Sequence, residues 1–237
     1  TPVFLMSDLD IGMNQWLCEP LSWDDARTLD RGKVLTFEEL EAGKPFGRYR
    51  DVDGDGIPYR VYPGTHPKRG AFFTRGTSKN ADAGYSEEGS DYVANVDRLL
   101  RKFETARRLV PAPVVRKAAR PTRIGAIYYG STSPAMGEAL DVLEAAGIHM
   151  DTMRVRAFPF HEDAYRFIEE HDTVFVVEQN RDAQLRTLLV NEGDIDPKRL
   201  IPVLHYDGTP ITARFIVEDI SHRLAASGDV ARKEMAS

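Results

Sequence analysis

An α/β fold with a parallel sheet is what this sequence predicts, and three observations carry the prediction. From Arg123 onward, apolar runs of strand character alternate four times with stretches of helical period. Within that region Val174-Phe-Val-Val177 stops on the polar cluster Glu178-Gln-Asn-Arg181, and Leu185, Leu188 and Leu189 then fall on one helical face. A buried parallel strand reads this way when it feeds the helix that covers it. The totals are those of a globular protein: 237 residues, 42% hydrophobic and 29% charged.

The elements follow in chain order. Residues 1–12 read as a buried strand ending in Asp8, Asp10 and Gly12. The chain opens at Thr1 without an initiator Met, and a parallel strand there needs neighbours. The expectation is therefore a fragment, with the rest of a first domain upstream. Residues 13–120 show no sustained period and hold many turn formers, among them Pro45, Pro58, Pro63 and Pro67. Only 91–109 reads as a helix there, with Val93, Val96, Leu99, Leu100 and Phe103 as an apolar stripe. Pro111, Pro113 and Pro121 mark a linker. Strands are then expected at 124–129, 149–158, 173–177 and 200–204. Helices are expected after Ser133 as cap with Pro134 at the first position, and over 162–170, 182–190 and 212–224. The division into domains falls at 1–120 and 121–237.

Charge and composition exclude several classes. A net charge of -6 argues against a nucleic-acid surface, because the basic residues between Arg98 and Arg123 are broken up by acids and prolines. A single cysteine, Cys18, rules out an internal disulfide and a multi-cysteine metal site within this chain. No apolar run approaches the ~20 residues of a membrane helix. No leader pattern opens the sequence as given, and the expected location is cytoplasmic.

Several motifs carry chemistry. Gly130-Ser-Thr-Ser133 follows a strand and opens a helix, where backbone N–H groups can hold an anion. It lacks the spacing of a dinucleotide fingerprint and the P-loop lysine, so a capped turn is the first reading. Asp51-Val-Asp-Gly-Asp-Gly56 matches the first half of a calcium loop. Its twelfth position is Tyr62 rather than a bidentate Glu, which favours an acidic turn without a tightly held metal. Phe72-Phe-Thr-Arg75-Gly-Thr77-Ser78-Lys79 joins aromatics to donors and two cations suited to a carboxylate or phosphate. His205, at the end of the fourth strand, is the best histidine for a polar role, with a structural hydrogen bond as the preferred reading. Cys18 reads as a packed side chain rather than a nucleophile. No catalytic set and no metal ligands can be named from spacing.

Six stretches, in order, resemble one family. They are Ser7-Asp-Leu-Asp-Ile-Gly-Met-Asn14, Asp51–Arg60, Gly64-Thr-His-Pro67, Phe73-Thr-Arg-Gly-Thr-Ser78, Val177-Glu-Gln-Asn-Arg-Asp182 and Leu204-His-Tyr-Asp-Gly208. Together they are similar to the alpha subunit of 2-oxoacid:ferredoxin oxidoreductases, most of all to the C-terminal portion in the 2-oxoglutarate enzymes. The resemblance implies the end of a thiamine-enzyme pyrimidine-type domain with a long irregular extension, then a transketolase C-terminal-like domain. It implies oxidative decarboxylation of a 2-oxoacid with coenzyme A, electrons leaving to ferredoxin. Pyruvate or a branched-chain 2-oxoacid is the alternative substrate, and a non-catalytic flavodoxin-like binding module the alternative function. Thiamine diphosphate, Mg²⁺ and a [4Fe–4S] cluster would belong chiefly to a beta subunit, so this chain alone would be inactive. The partners implied are that beta subunit, the missing N-terminal part of the alpha subunit and ferredoxin. Arg75, Thr77, Ser78 and Lys79 are the implied substrate or cofactor contacts, because 2-oxoglutarate brings a second carboxylate. Glu178, Asn180, Arg181 and Gln184, with His205, are the implied supports of a site or subunit interface.

Overall fold

The computed structural model describes residues 2–227 and contains two compact units: Thr1–Leu17 with Val110–Ser237, and Cys18–Leu109. In chain order the helices are α1 (Leu9–Met13), α2 (Phe37–Glu41), α3 (Gly89–Leu109), α4 (Thr132–Ala145), α5 (Glu162–Glu170), α6 (Gln184–Gly193) and α7 (Ala213–Ser227). The strands are β1 (Val114–Arg116), β2 (Ile124–Tyr129), β3 (Asp151–Val155), β4 (Thr173–Glu178) and β5 (Leu200–Leu204). All five strands belong to the first unit and form one sheet in the order β1-β3-β2-β4-β5.

β2, β3, β4 and β5 run parallel, as the alternation of strand and helix predicts. The central strand β4 explains its own sequence: Val174, Phe175, Val176 and Val177 are fully buried because both faces of the sheet are covered. Phe175 and Val177 pack with Ala126 against Met136, Leu140 and Leu143 of α4 and Ile216 and Ile220 of α7. Val174 and Val176 pack with Ile127 on the other face, against Phe167 and Ile168 of α5 and Leu185 and Leu189 of α6. Burial of each such side chain contributes about 1.5–3 kcal/mol. Gly125 lets α5 come close, since a Cβ there would lie 2.8 Å from the Phe167 ring.

Four expectations need correction. Residues 1–12 do not form a buried strand: Val3, Phe4, Leu5 and Met6 are 81–98% exposed, and Leu9–Met13 is a short helix capped by Asp8. The described sheet offers this segment no pairing partner, so its backbone stays in water. The linker at 114–116 is instead the edge strand β1, antiparallel to β3 with Val115 opposite Met153, so the sheet is mixed. Three residues between prolines carry too little pattern to reveal such pairing. α4 begins at Thr132, two residues before Pro134, and Ser131 rather than Ser133 is its cap residue. Proline is tolerated there because first-turn N–H groups need no intrahelical partner. α6 begins at Gln184 rather than Asp182, because Ala183 adopts a left-handed conformation (φ 49°).

The second unit is a set of irregular loops laid along α3. Arg98 Nη1 donates to the Gly56 carbonyl at 3.1 Å, Thr105 Oγ1 to the Asp55 carbonyl at 2.6 Å, and Asn95 Nδ2 to the Lys79 carbonyl at 2.5 Å. The contact face of α3 is therefore polar, and the stripe Val93, Val96, Leu99, Leu100 and Phe103 is 39–61% exposed.

Candidate functional site

In an open parallel sheet, ligands and partners dock beyond the carboxyl ends of strands where successive crossovers leave toward opposite faces. Here that point lies between β2 and β4, since α4 covers one face and α6 the other. The loops after β2, β4 and β5 meet there through one side chain. Gln179 Nε2 donates to Ser131 Oγ at 3.0 Å and to Thr132 Oγ1 at 3.3 Å, while its Oε1 accepts from the Ile211 N–H at 3.3 Å.

Glu178 is fully buried at the end of β4, and its carboxylate caps α6. It accepts from Leu185 N–H at 2.7 Å, from Arg186 N–H at 3.0 Å and from Asn180 Nδ2 at 2.8 Å. A negative group on the positive end of a helix is a stable arrangement. The three donors leave this carboxylate little capacity to bind anything else. The same electrostatics reach Tyr129, whose phenol is pushed up first by burial and then by the Glu178 charge. Asn180 closes the turn, accepting from Asp182 N–H and Gln184 N–H. Arg181 lies in solvent and pairs with its neighbour Asp182 at 2.8 Å, and Gln184 is exposed. His205 is buried, with its ring edge-on to Phe215 at 4.8 Å and Nε2 3.4 Å from Asp207. Its backbone N–H donates to the Glu178 carbonyl at 2.9 Å. Glu178, Asn180 and Gln184 thus share one turn, His205 joins it from the end of β5 through the Glu178 carbonyl, and Arg181 is exposed.

The sequence placed Gln179 in the polar cluster after β4 and Ser131 in the Gly130–Ser133 turn, but did not link either to Asp8 or to the other. Ser131 Oγ donates to Asp8 Oδ2 at 2.6 Å, which with the Ile11 N–H holds the Asp8 carboxyl below its ordinary value. The anion position of the Gly130–Ser133 turn is thus held by a carboxylate of this chain. Gly130, at φ 57°, makes the turn. No local signal could have linked Asp8 to Ser131, 123 residues away.

The other predicted contacts lie in the second unit. Arg75 is exposed, with its guanidinium 5.8 Å from the Tyr85 ring centre, and Thr77 is exposed. Ser78 is half-buried and its Oγ has no hydrogen-bond partner. Lys79 Nζ lies 3.5 Å from the Gly76 carbonyl and 5.2 Å from the Tyr49 ring centre. Lys79 is bridged to Tyr85, and Asn80 Oδ1 accepts from Asp82 and Gly84 N–H, so the segment is a closed turn. Asp51–Gly56 holds a cation of its own, because Lys33 Nζ lies 2.7 Å from both Asp53 and Asp55. Asp51 is turned inward instead, accepting from Gly56 N–H and Arg101 Nε at 3.1 Å each.

An iron–sulfur cluster and a metal ion do not fit the donors among the described residues. A [4Fe–4S] cluster needs several thiolates, and Cys18 is a single exposed thiol. Among the described residues no group of three His, Cys, Asp or Glu side chains could hold a metal ion. No helix of the described residues is long and apolar enough to cross a membrane.

No protein-family model matches the sequence, and no curated protein matches it. Among solved structures, the chain is similar to 2-oxoglutarate:ferredoxin oxidoreductase from Magnetococcus marinus, solved with 2-oxoglutarate, coenzyme A and succinyl-CoA bound. The match has a TM-score of 0.65 at 21% identity and covers 76% of this chain. Two fainter likenesses are a split-gene transketolase (TM-score 0.39, 20% identity, 48% of this chain and 41% of that one) and the alpha chain of a probable 2-oxoacid ferredoxin oxidoreductase from Thermoplasma acidophilum (0.34, 22%, 48% and 97%). The chain spans 31% of the length of the Magnetococcus protein and shares its fold over that span.

Proposed function

We propose that this chain is the C-terminal portion of the alpha subunit of a 2-oxoacid:ferredoxin oxidoreductase, acting on 2-oxoglutarate with coenzyme A. The supporting observation is a coincidence: six motif stretches follow the order of that family, and the fold matches a 2-oxoglutarate:ferredoxin oxidoreductase over 76% of the chain. On this reading the sheet unit is a transketolase C-terminal-like domain, and the residues before 121 are the end and extension of a pyrimidine-type domain. Bound on the beta subunit, thiamine diphosphate supplies the electron sink for the carbanion left when CO₂ departs.

This chain's own contribution is binding and assembly. Arg75 and Lys79 place positive charge for the distal carboxylate of the substrate, and Thr77 and Ser78 add hydroxyl donors. The turn Glu178–Gln184 is rigid because Glu178 is buried and thrice bonded, which suits a surface that docks a rigid partner.

The experiment is anaerobic co-purification of the full-length gene product, with mass spectrometry of partners and a viologen-reduction assay dependent on 2-oxoglutarate and coenzyme A. A cysteine-rich thiamine-binding subunit with 2-oxoglutarate-dependent reduction is the expected result. Reduction with pyruvate alone would move the substrate assignment, and a lone inactive chain would overturn the reading.

A further inference from the structure

One corner of the second unit gathers positive charge. Three cations surround one aromatic ring: the centre of Tyr49 lies 5.5 Å from the Arg48 guanidinium, 5.2 Å from Lys79 Nζ and 5.9 Å from the Arg98 guanidinium. Lys102, one turn along α3 from Arg98, adds a fourth, and its ammonium is pushed down first by burial and then by Arg98 and Arg48. Arg98 is only 7% exposed, and it is lowered first by burial and next by the charge of Arg48.

The carboxylate that acts on Arg98 is Asp51, whose oxygens are committed to Gly56 N–H and Arg101 Nε. Arg98 spends Nη1 on the Gly56 carbonyl, and its buried Nε has no partner. Ser78, next to Lys79, likewise keeps a buried hydroxyl without a partner. An aromatic ring has two faces and offers about 0.5–2 kcal/mol to each cation, so Tyr49 cannot compensate three. Burying a cation with an unused donor is costly unless an anion completes the arrangement.

We propose that Arg48, Lys79 and Arg98, gathered around Tyr49, together with Lys102 one helical turn beyond Arg98, form a binding site for a phosphate group. Two guanidinium forks and two ammonium points match a tetrahedral dianion better than a single carboxylate. The site shares Lys79 with the contacts named above but does not rest on the oxidoreductase reading. A negative result here would leave that reading standing.

The test is calorimetric titration of the 237-residue chain with inorganic phosphate, pyrophosphate and ADP, at fixed ionic strength in chloride buffer. Saturable binding is expected. Arg48→Gln and Lys102→Gln, both at half-buried positions, should each weaken it by roughly tenfold or more with unchanged circular dichroism. Phosphate should raise the melting temperature of the native chain but not that of Arg98→Met. Pyrophosphate or phosphate binding as tightly as ADP would identify a free inorganic anion. Much tighter binding of ADP would identify a phosphoryl group on a nucleotide. Absence of saturable binding by all three anions, or binding that Arg48→Gln and Lys102→Gln leave unchanged, would overturn the proposal.

Discussion

Asp151 and His171 show how much one buried pair decides. His171 is 1% exposed, with Nδ1 2.6 Å from the Phe167 carbonyl and Nε2 3.1 Å from Asp151 Oδ2. Each ring nitrogen of His171 thus faces an oxygen acceptor. Asp151 also accepts from Ala118 N–H at 2.8 Å and pairs with Lys117 at 2.9 Å. Burial raises its carboxyl, and Ala118, Lys117 and His171 together outweigh burial and hold it below its ordinary value. A depressed folded-state value means that the stabilisation is present above about pH 4, the unfolded carboxylate's range, and is lost as pH falls through the lower folded value. Asp151→Asn should therefore cost roughly 3–5 kcal/mol near neutral pH, read by urea unfolding, and flatten the acid limb. An unchanged midpoint would refute this account. Gly56 is a second decisive residue. At φ 76° an added Cβ would overlap the Lys102 backbone nitrogen and lie 2.7 Å from the Arg98 carbonyl. Gly56→Ala should cost roughly 2–4 kcal/mol and make residues 43–89 quickly cleaved by protease, with the sheet unit intact.

At the scale of elements, the helix starts were the hardest to read. α6 is held by Glu178, six residues before Gln184, rather than by a cap residue at its own terminus. Glu178→Gln would set an amide NH₂ against backbone N–H groups and remove the charge that faces the helix end. It should lower stability by about 2 kcal/mol, measured as a drop in urea midpoint, whereas Arg181→Gln on the exposed tip should not. The acidic loop Asp51–Gly56 was read correctly as a turn, but its internal cation came from 20 residues upstream. Lys33 is held above its ordinary value: burial opposes this, and the hydrogen bonds to Asp53 and Asp55 prevail. Millimolar calcium should therefore leave the melting temperature unchanged in the native chain, because Lys33 already occupies the position between those carboxylates. A calcium-dependent rise would contradict this geometry.

For the molecule as a whole, exposure is unevenly distributed. Trp16 and Trp23 are 56% and 87% exposed, whereas the buried core clusters of the sheet contain no tryptophan. Tryptophan emission should be that of water-exposed indoles and should change little on urea unfolding, while the far-ultraviolet dichroism collapses. Addition of the beta subunit proposed above offers a second reading of the same signal: a blue shift would report that the segment carrying these residues becomes covered. Backbone amides of Val174–Val177 should exchange slowest, being central and buried on both faces.

The sequence by itself determined the four parallel strands and the helices between them, because alternation and helical period are local consequences of which faces are buried. It also located the turn after β4, since an apolar run that stops on polar residues marks a strand's end. Only the tertiary structure decided that Val114–Arg116 pairs with β3, that residues 2–7 stay outside the sheet, and that Asp8 and Gln179 meet at Ser131. It alone brought Arg48, Lys79 and Arg98 to one ring. Strand pairing and charge clustering join residues far apart in sequence, and their energies depend on distance in space, for which no local pattern is a record.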